Sequence, residues 1–273
     1  MLALAIPVGL LIGLSLGALG GGGSVLTVPA LVYLLGQDTQ AATTGSLLIV
    51  GVTSLAGMAA HYRAGRVRVF QGVVFGVLGI GGSYVGSLLS VKVAPAVLLA
   101  AFSVLMLAVA AMMFVRGRRS QGGLSGTSMG ADQDEVAIIT LRPSLGCDCP
   151  AALKVLITAS AVGLLTGFFG VGGGFAVVPA LVLALGYTMP VAVGTSLLVI
   201  AINSASALVV RVGHAIQLDW ALIGVFTLAA IIGSLLGGRI SARVRPERLT
   251  TAFTMLLVVV ALYTAARSFP QLA

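Results

Sequence analysis

Gly20-Gly21-Gly22-Gly23-Ser24 interrupts one long apolar stretch, and Gly170-Val171-Gly172-Gly173-Gly174 interrupts another. Adjacent glycines accept backbone angles that other residues avoid and let neighbouring groups approach closely. A helix broken there exposes unpaired backbone N–H groups where the next helix starts, and Ser24 is placed to cap that start. Such amides, with the partial positive charge of a helix start, attract an anion without a buried arginine. The candidates for this contact are Gly21, Gly22, Gly23 and Ser24 in the first copy and Gly172, Gly173 and Gly174 in the second. Small polar residues follow each copy: Thr44 and Ser46 after the first, Thr195, Ser196 and Asn203 after the second, with Ser54, Ser204 and Ser206 further along. Their hydroxyls and amide can donate to oxyanion oxygens. The competing role for each is back-bonding within its helix or helix–helix glue. Pro29 and Pro179 each remove an internal amide and free a carbonyl one turn earlier, which makes them helix-kink positions. Gly9, Gly13 and Gly17, spaced by four, are read as a packing face.

Other reactive side chains are sparse. His61 is the candidate for proton coupling because histidine titrates near neutral pH, against the reading that a histidine beside Tyr62 at a span end is an interfacial anchor. His214 has no such support, since the repeat sets it opposite Ala64. Cys147-Asp148-Cys149 offers two thiols without a second pair or nearby histidine, a weak metal signal, so no metal site and no cofactor are expected. No intramembrane acid–base pair or nucleophile–histidine arrangement is evident, which argues against an enzyme.

The elements that must position these residues are apolar and duplicated. The chain is 59% hydrophobic and 8% charged, outside the range of soluble domains. From Ala3 to Tyr62 the only ionised side chain is Asp38, and from Val69 to Val115 it is Lys92. Apolar runs cover residues 2–19, 24–36, 40–60, 69–90 and 94–115, then 151–169, 175–186, 190–210, 219–238 and 249–266. The two sets are copies, offset by 150 residues from Gly17 to Gly167. Thr44-Gly45-Ser46-Leu47-Leu48 pairs with Gly194-Thr195-Ser196-Leu197-Leu198, and Ser54 with Ser204. After a one-residue slip Gly82-Ser83-Tyr84-Val85-Gly86 pairs with Gly233-Ser234-Leu235-Leu236-Gly237. Thr188 before Pro190, Asp219 before Trp220, and Pro95 and Pro246 mark helix starts.

The second run of each half is too short to cross about 30 Å of hydrocarbon comfortably, so it either re-enters with the helix before it or forms a short tilted span. Either way the hairpin leaves the parity of the half unchanged, and three long helices make each half cross an odd number of times. Charge supplies an independent test. Inverted halves put 12 of the 15 basic residues on one side: Arg63, Arg66 and Arg68, then Arg116, Arg118, Arg119, Arg142 and Lys154, then Arg239, Arg243, Arg245 and Arg248. Only Lys92, Arg211 and Arg267 fall on the other, which fits the positive-inside rule and places both chain ends on the non-cytoplasmic side. The expected fold is therefore an all-α polytopic membrane protein of two inverted-topology repeats, each a glycine-broken helical hairpin plus three long transmembrane helices. The divisions are 1–115, a cytoplasmic linker at 116–150, and 151–273. Met1 to Pro7 holds no basic residue and is read as mature structure rather than a signal peptide. The net charge of +8 comes from residues at span ends, which points to membrane lipid and not to nucleic acid. A homodimer is compatible with the small-residue faces, which equally serve contacts inside one chain.

Gly20-Gly21-Gly22-Gly23-Ser24 with Val28-Pro29-Ala30-Leu31 and Thr44-Gly45-Ser46-Leu47 resembles the TauE/SafE sulfite exporter family. Gly170-Val171-Gly172-Gly173-Gly174 with Val178-Pro179-Ala180-Leu181 and Gly194-Thr195-Ser196-Leu197 resembles it more closely still. The likeness covers nearly the whole chain apart from the linker. It implies a secondary transporter in a bacterial inner membrane that carries sulfite or a small organic sulfur anion outward. An anion channel, or an importer of a related small organic acid, is the alternative.

Overall fold

The computed structural model describes residues 2–90, 95–122, 149–169, 174–211 and 218–268. Gly170 to Gly173, Cys147 and His214 lie outside them, and so does most of the linker. The described residues form ten α-helices and no strand. In the first half these are α1 (Leu2–Leu19), α2 (Gly22–Pro29), α3 (Thr39–Arg63), α4 (Val69–Ser90) and α5 (Pro95–Gly122). The second half holds α6 (Cys149–Phe169), α7 (Gly174–Leu183), α8 (Met189–Arg211), α9 (Trp220–Arg243) and α10 (Pro246–Ser268). Among the described residues five stretches are long and apolar enough to cross a membrane: Gln40–Arg63, Val69–Gly86, Met189–Val209, Trp220–Arg243 and Pro246–Tyr263. α5 continues seven residues past the expected start of the linker, to Gly122.

Local chemistry explains most helix ends. Asp38 caps α3 by accepting from the Gln40 amide at 3.0 Å, and Asp219 caps α9 by accepting from Leu222 at 3.1 Å. Pro95 and Pro246 open α5 and α10, where a missing amide costs nothing. The two short helices finish alike. Gly36 and Gly186 both take positive φ, and the amides that follow, Gln37 and Tyr187, reach back to the Leu31 and Leu181 carbonyls at 2.9 and 3.1 Å. That is a glycine-terminated helix end, repeated at the same position in each half.

Three of the helix seams bear most directly on the site. α1 packs lengthwise on α9, with Gly13 against the Ala230 backbone and Gly17 against Ser234. α4 packs on α6 in the same way, with Gly163 against Gly79 and Gly167 against Ser83. Exchanging the halves turns one seam into the other. Both are parallel, and both depend on glycine to let backbones touch, which is how helices associate where lipid removes the hydrophobic drive. The third seam joins α3 to α8. There Gly51 faces Ser204 and Gly57 faces Leu197, so these counterpart helices run in opposite directions.

The interior is apolar: Phe75, Phe102, Met106 and Phe253 lie in one cluster and Ile12, Leu31, Ile49 and Phe226 in another. Leu11, Val104, Leu228 and Met255 are exposed on the outside, as lipid-facing residues are.

Candidate functional site

α1 ends where Gly20 donates to the Leu16 carbonyl at 2.8 Å and turns to φ +79°. An L side chain rarely adopts that angle. The Gly21 amide then reaches only to Leu19, at 3.2 Å, which leaves the Gly17 carbonyl without its usual partner four residues on. His61 takes that place, its Nε2–H donating to Gly17 O at 2.9 Å from a side chain 2% exposed. His61 is thus buried against the first break, beside Gly194 and Gly238, and not an exposed interfacial anchor.

Past the break the chain doubles back along α1. Gly23 sits against the Ile12 carbonyl and Leu16, while Gly22 faces Leu256 of α10 and the Ser15 hydroxyl. Gly23 lets α2 pack closely on α1 inside the hairpin, and Gly22 makes room for α10. The expected cap is corrected here: α2 starts at Gly22 with Gly21 as its N-cap and no side-chain cap. Ser24 lies inside the first turn, and its Oγ donates back to the Gly21 carbonyl at 2.8 Å. The helix starts three residues earlier than a Ser24 cap would place it, because only Gly20 and Gly21 are needed to turn the chain.

The break touches the other half of the protein. A Cβ on Gly174 would strike Ser24 Oγ and come within 3.0 Å of the Gly21 backbone. A Cβ on Gly20 would lie 2.6 Å from Ser196 Oγ and 2.9 Å from Val178. Gly21, Ser24, Gly174 and Ser196 therefore converge, and no ionised side chain is among them. Ser196 is fully buried and donates to Val193 O at 2.8 Å.

The remaining candidates are spread more widely. Thr195 accepts from the Arg68 amide at 3.2 Å, tying the α3–α4 turn to α8. Thr44 and Ser46 are buried near the start of α3, and Ser46 donates to Thr43 O at 2.8 Å. Asn203 lies two turns beyond Ser196, its Oδ1 facing Gly79 of α4. Gly172 and Gly173 lie outside the described residues. Pro29 closes α2 into a π-helical turn, Ala30–Leu34, in which Leu35 donates to Ala30 O at 3.2 Å. Pro179 is buried inside α7, which continues past it to Leu183.

Two polar residues were missed by reading the sequence. Ser15 has a buried Oγ with no hydrogen-bond partner among the described residues, next to Gly22; its position one turn before the break was the available signal. Thr53 has a buried, unpartnered Oγ1, and the signal was its repeat match to Asn203.

Long apolar helices joined by tight, glycine-lined seams define a multi-pass membrane protein. The family model for "Sulfite exporter TauE/SafE" matches residues 5–264, and the chain belongs to that family of membrane transporters. It is 31% identical to a "Probable membrane transporter protein" of Xylella fastidiosa (strain 9a5c), over 99% of this chain and 97% of that one. It is 26% identical to the "Probable membrane transporter protein YunE" of Bacillus subtilis (strain 168), over 93% of this chain and 92% of that one. No solved structure matches it.

Proposed function

We propose that this chain is a secondary transporter that exports sulfite or a small organic sulfur anion across the bacterial inner membrane by alternating access. One observation carries the reading: the glycine break of the first half meets the second half at Gly174 and Ser196, so a rearrangement between halves must alter that junction. Backbone amides at the α2 start, which has no side-chain cap, suit an anion, as do nearby hydroxyls. The four converging residues carry no charge themselves, which suits a ligand that must also leave.

Inversion of the two halves is part of the proposal. It is supported by the opposite directions of α3 and α8 and by the 12-to-3 division of basic residues, with both chain ends on the non-cytoplasmic side. Outward movement of an anion is favoured where the cell interior is negative. His61 is the coupling candidate, because it joins α3 to the freed Gly17 carbonyl at the break.

The test is flux in liposomes holding the purified chain, with sulfite, thiosulfate, sulfoacetate and taurine, with and without a pH gradient. Saturable flux of sulfite or sulfoacetate is expected. Non-saturating flux identifies a channel, and saturable flux of none of the four overturns the sulfur-anion reading. Stimulation by the gradient that His61→Gln abolishes supports coupling through His61. Stimulation that survives the substitution removes that role.

A further inference from the structure

Hydroxyls in these helices mostly bond to their own helix. Thr27, Thr166, Thr227 and Thr254 donate to the carbonyl one turn back, at 3.0, 2.7, 2.7 and 2.8 Å. Ser46 and Ser196 do the same at 2.8 Å. Near the middle of the two central helices that habit fails. Thr53 Oγ1 and Ser54 Oγ on α3, and Asn203 Oδ1 and Ser204 Oγ on α8, are buried without a hydrogen-bond partner among the described residues. Thr53, Ser54 and Ser204 are at most 1% exposed.

The four are repeat counterparts, Thr53 with Asn203 and Ser54 with Ser204. Ser204 Oγ lies 4.0 Å from where a Gly51 Cβ would be, one turn of α3 away from Ser54. Ser46 and Ser196 each lie two turns from the group along their own helix. Because α3 and α8 run in opposite directions, these two serines fall on opposite sides of it. Ser204 Oγ borders α3 beside Gly51, Asn203 Oδ1 looks to the α4 side of α8 beside Gly79, and Ser196 sits beside the first glycine break.

Unpaired polar groups are costly where no water reaches, and native structures rarely keep them without reason. Keeping them at matching positions in both halves is consistent with a ligand that completes them. Three hydroxyls can each turn a hydrogen toward an acceptor, and a carboxamide has NH2 and C=O ends of nearly the same shape, so it too can present a donor. The set suits the several acceptor oxygens of a small oxyanion. It supplies donors without formal charge, so the ligand is held without being trapped.

We propose that Thr53, Ser54, Asn203 and Ser204 form a binding position for a small oxyanion at the middle of the paired helices α3 and α8. This rests on the anion-transport reading and adds a site separate from the glycine breaks. The test uses the full chain in liposomes with sulfite and sulfoacetate as probes, in Thr53→Val, Ser54→Ala and Ser204→Ala variants, with thermal unfolding in detergent measured alongside. Removing unpartnered hydroxyls should leave unfolding without ligand unchanged or raise its midpoint. Saturable flux should fall at least tenfold, the unfolding shift caused by the probe should shrink, and Thr53→Ser should restore flux. Variants that keep both flux and shift overturn the central site alone. Absence of saturable flux of either probe in the unaltered protein overturns the anion reading for them and this site with it. Should a variant fail to fold, Thr53→Ser against Thr53→Val still decides, because hydroxyl and size are then varied separately.

Discussion

Gly20 carries two constraints at once: a positive φ and a side-chain space already filled by Ser196 and Val178. Gly20→Ala should therefore lower stability by more than the ~1–2 kcal/mol that a left-handed L residue costs alone, as a drop in thermal midpoint in detergent. An unchanged midpoint would mean that the break is looser than described. His61→Ala should cost about 1–3 kcal/mol, because it leaves the buried Gly17 carbonyl unpaired. His61→Gln, which keeps a donor, should recover part of that loss; equal stability of all three proteins would contradict a stabilising His61–Gly17 hydrogen bond. The glycine run was legible as a break from composition alone. Its division of labour was not, because turning the chain, packing on α1 and meeting Gly174 all require the same missing Cβ. The histidine was visible as a titratable group, but its partner is a backbone carbonyl 44 residues away, which no local pattern announces.

At the scale of elements, neighbouring glycines on α4 give a matched comparison. Gly82 presses on the Ser160 carbonyl of α6, whereas Gly81 has nothing within 4 Å. Gly82→Ala should force α4 and α6 apart and lower the thermal midpoint. Gly81→Ala should hold or raise it, since alanine in a helix interior is favoured over glycine by roughly 0.5–1 kcal/mol. The reverse order would contradict the seam. Helix existence could be read from apolar runs, and the starts at Asp219, Pro95 and Pro246 from capping chemistry. The π-helical turn after Pro29 could not. Pro179 at the counterpart position leaves α7 regular, so the missing proline amide alone does not determine it. Ser24 was misread as a cap because its residue type suits both a cap and a first-turn back-bond, and only the backbone path chooses between them.

Across the whole molecule, the duplication does most to organise the fold. The α1–α9 and α4–α6 seams exchange when the halves exchange, and α3 meets its own counterpart α8. From that arrangement, Arg66→Cys and Arg243→Cys, each made in a background with Cys147 and Cys149 replaced by serine, should both react with a membrane-impermeant thiol reagent from the same side of the membrane in vesicles of known orientation. Labelling from opposite sides would contradict the inverted topology. Pairing between halves was legible in the sequence through matched motifs and parity, whereas the contact between Gly174 and the first break depends on tertiary packing. The central claim is that the halves form a carrier whose junction alternates between the two sides, and counterflow tests it most directly. Liposomes preloaded with unlabelled sulfite or sulfoacetate should take up the labelled anion faster than empty ones and accumulate it transiently. Uptake indifferent to the preloaded anion would contradict alternating access and leave a channel in its place.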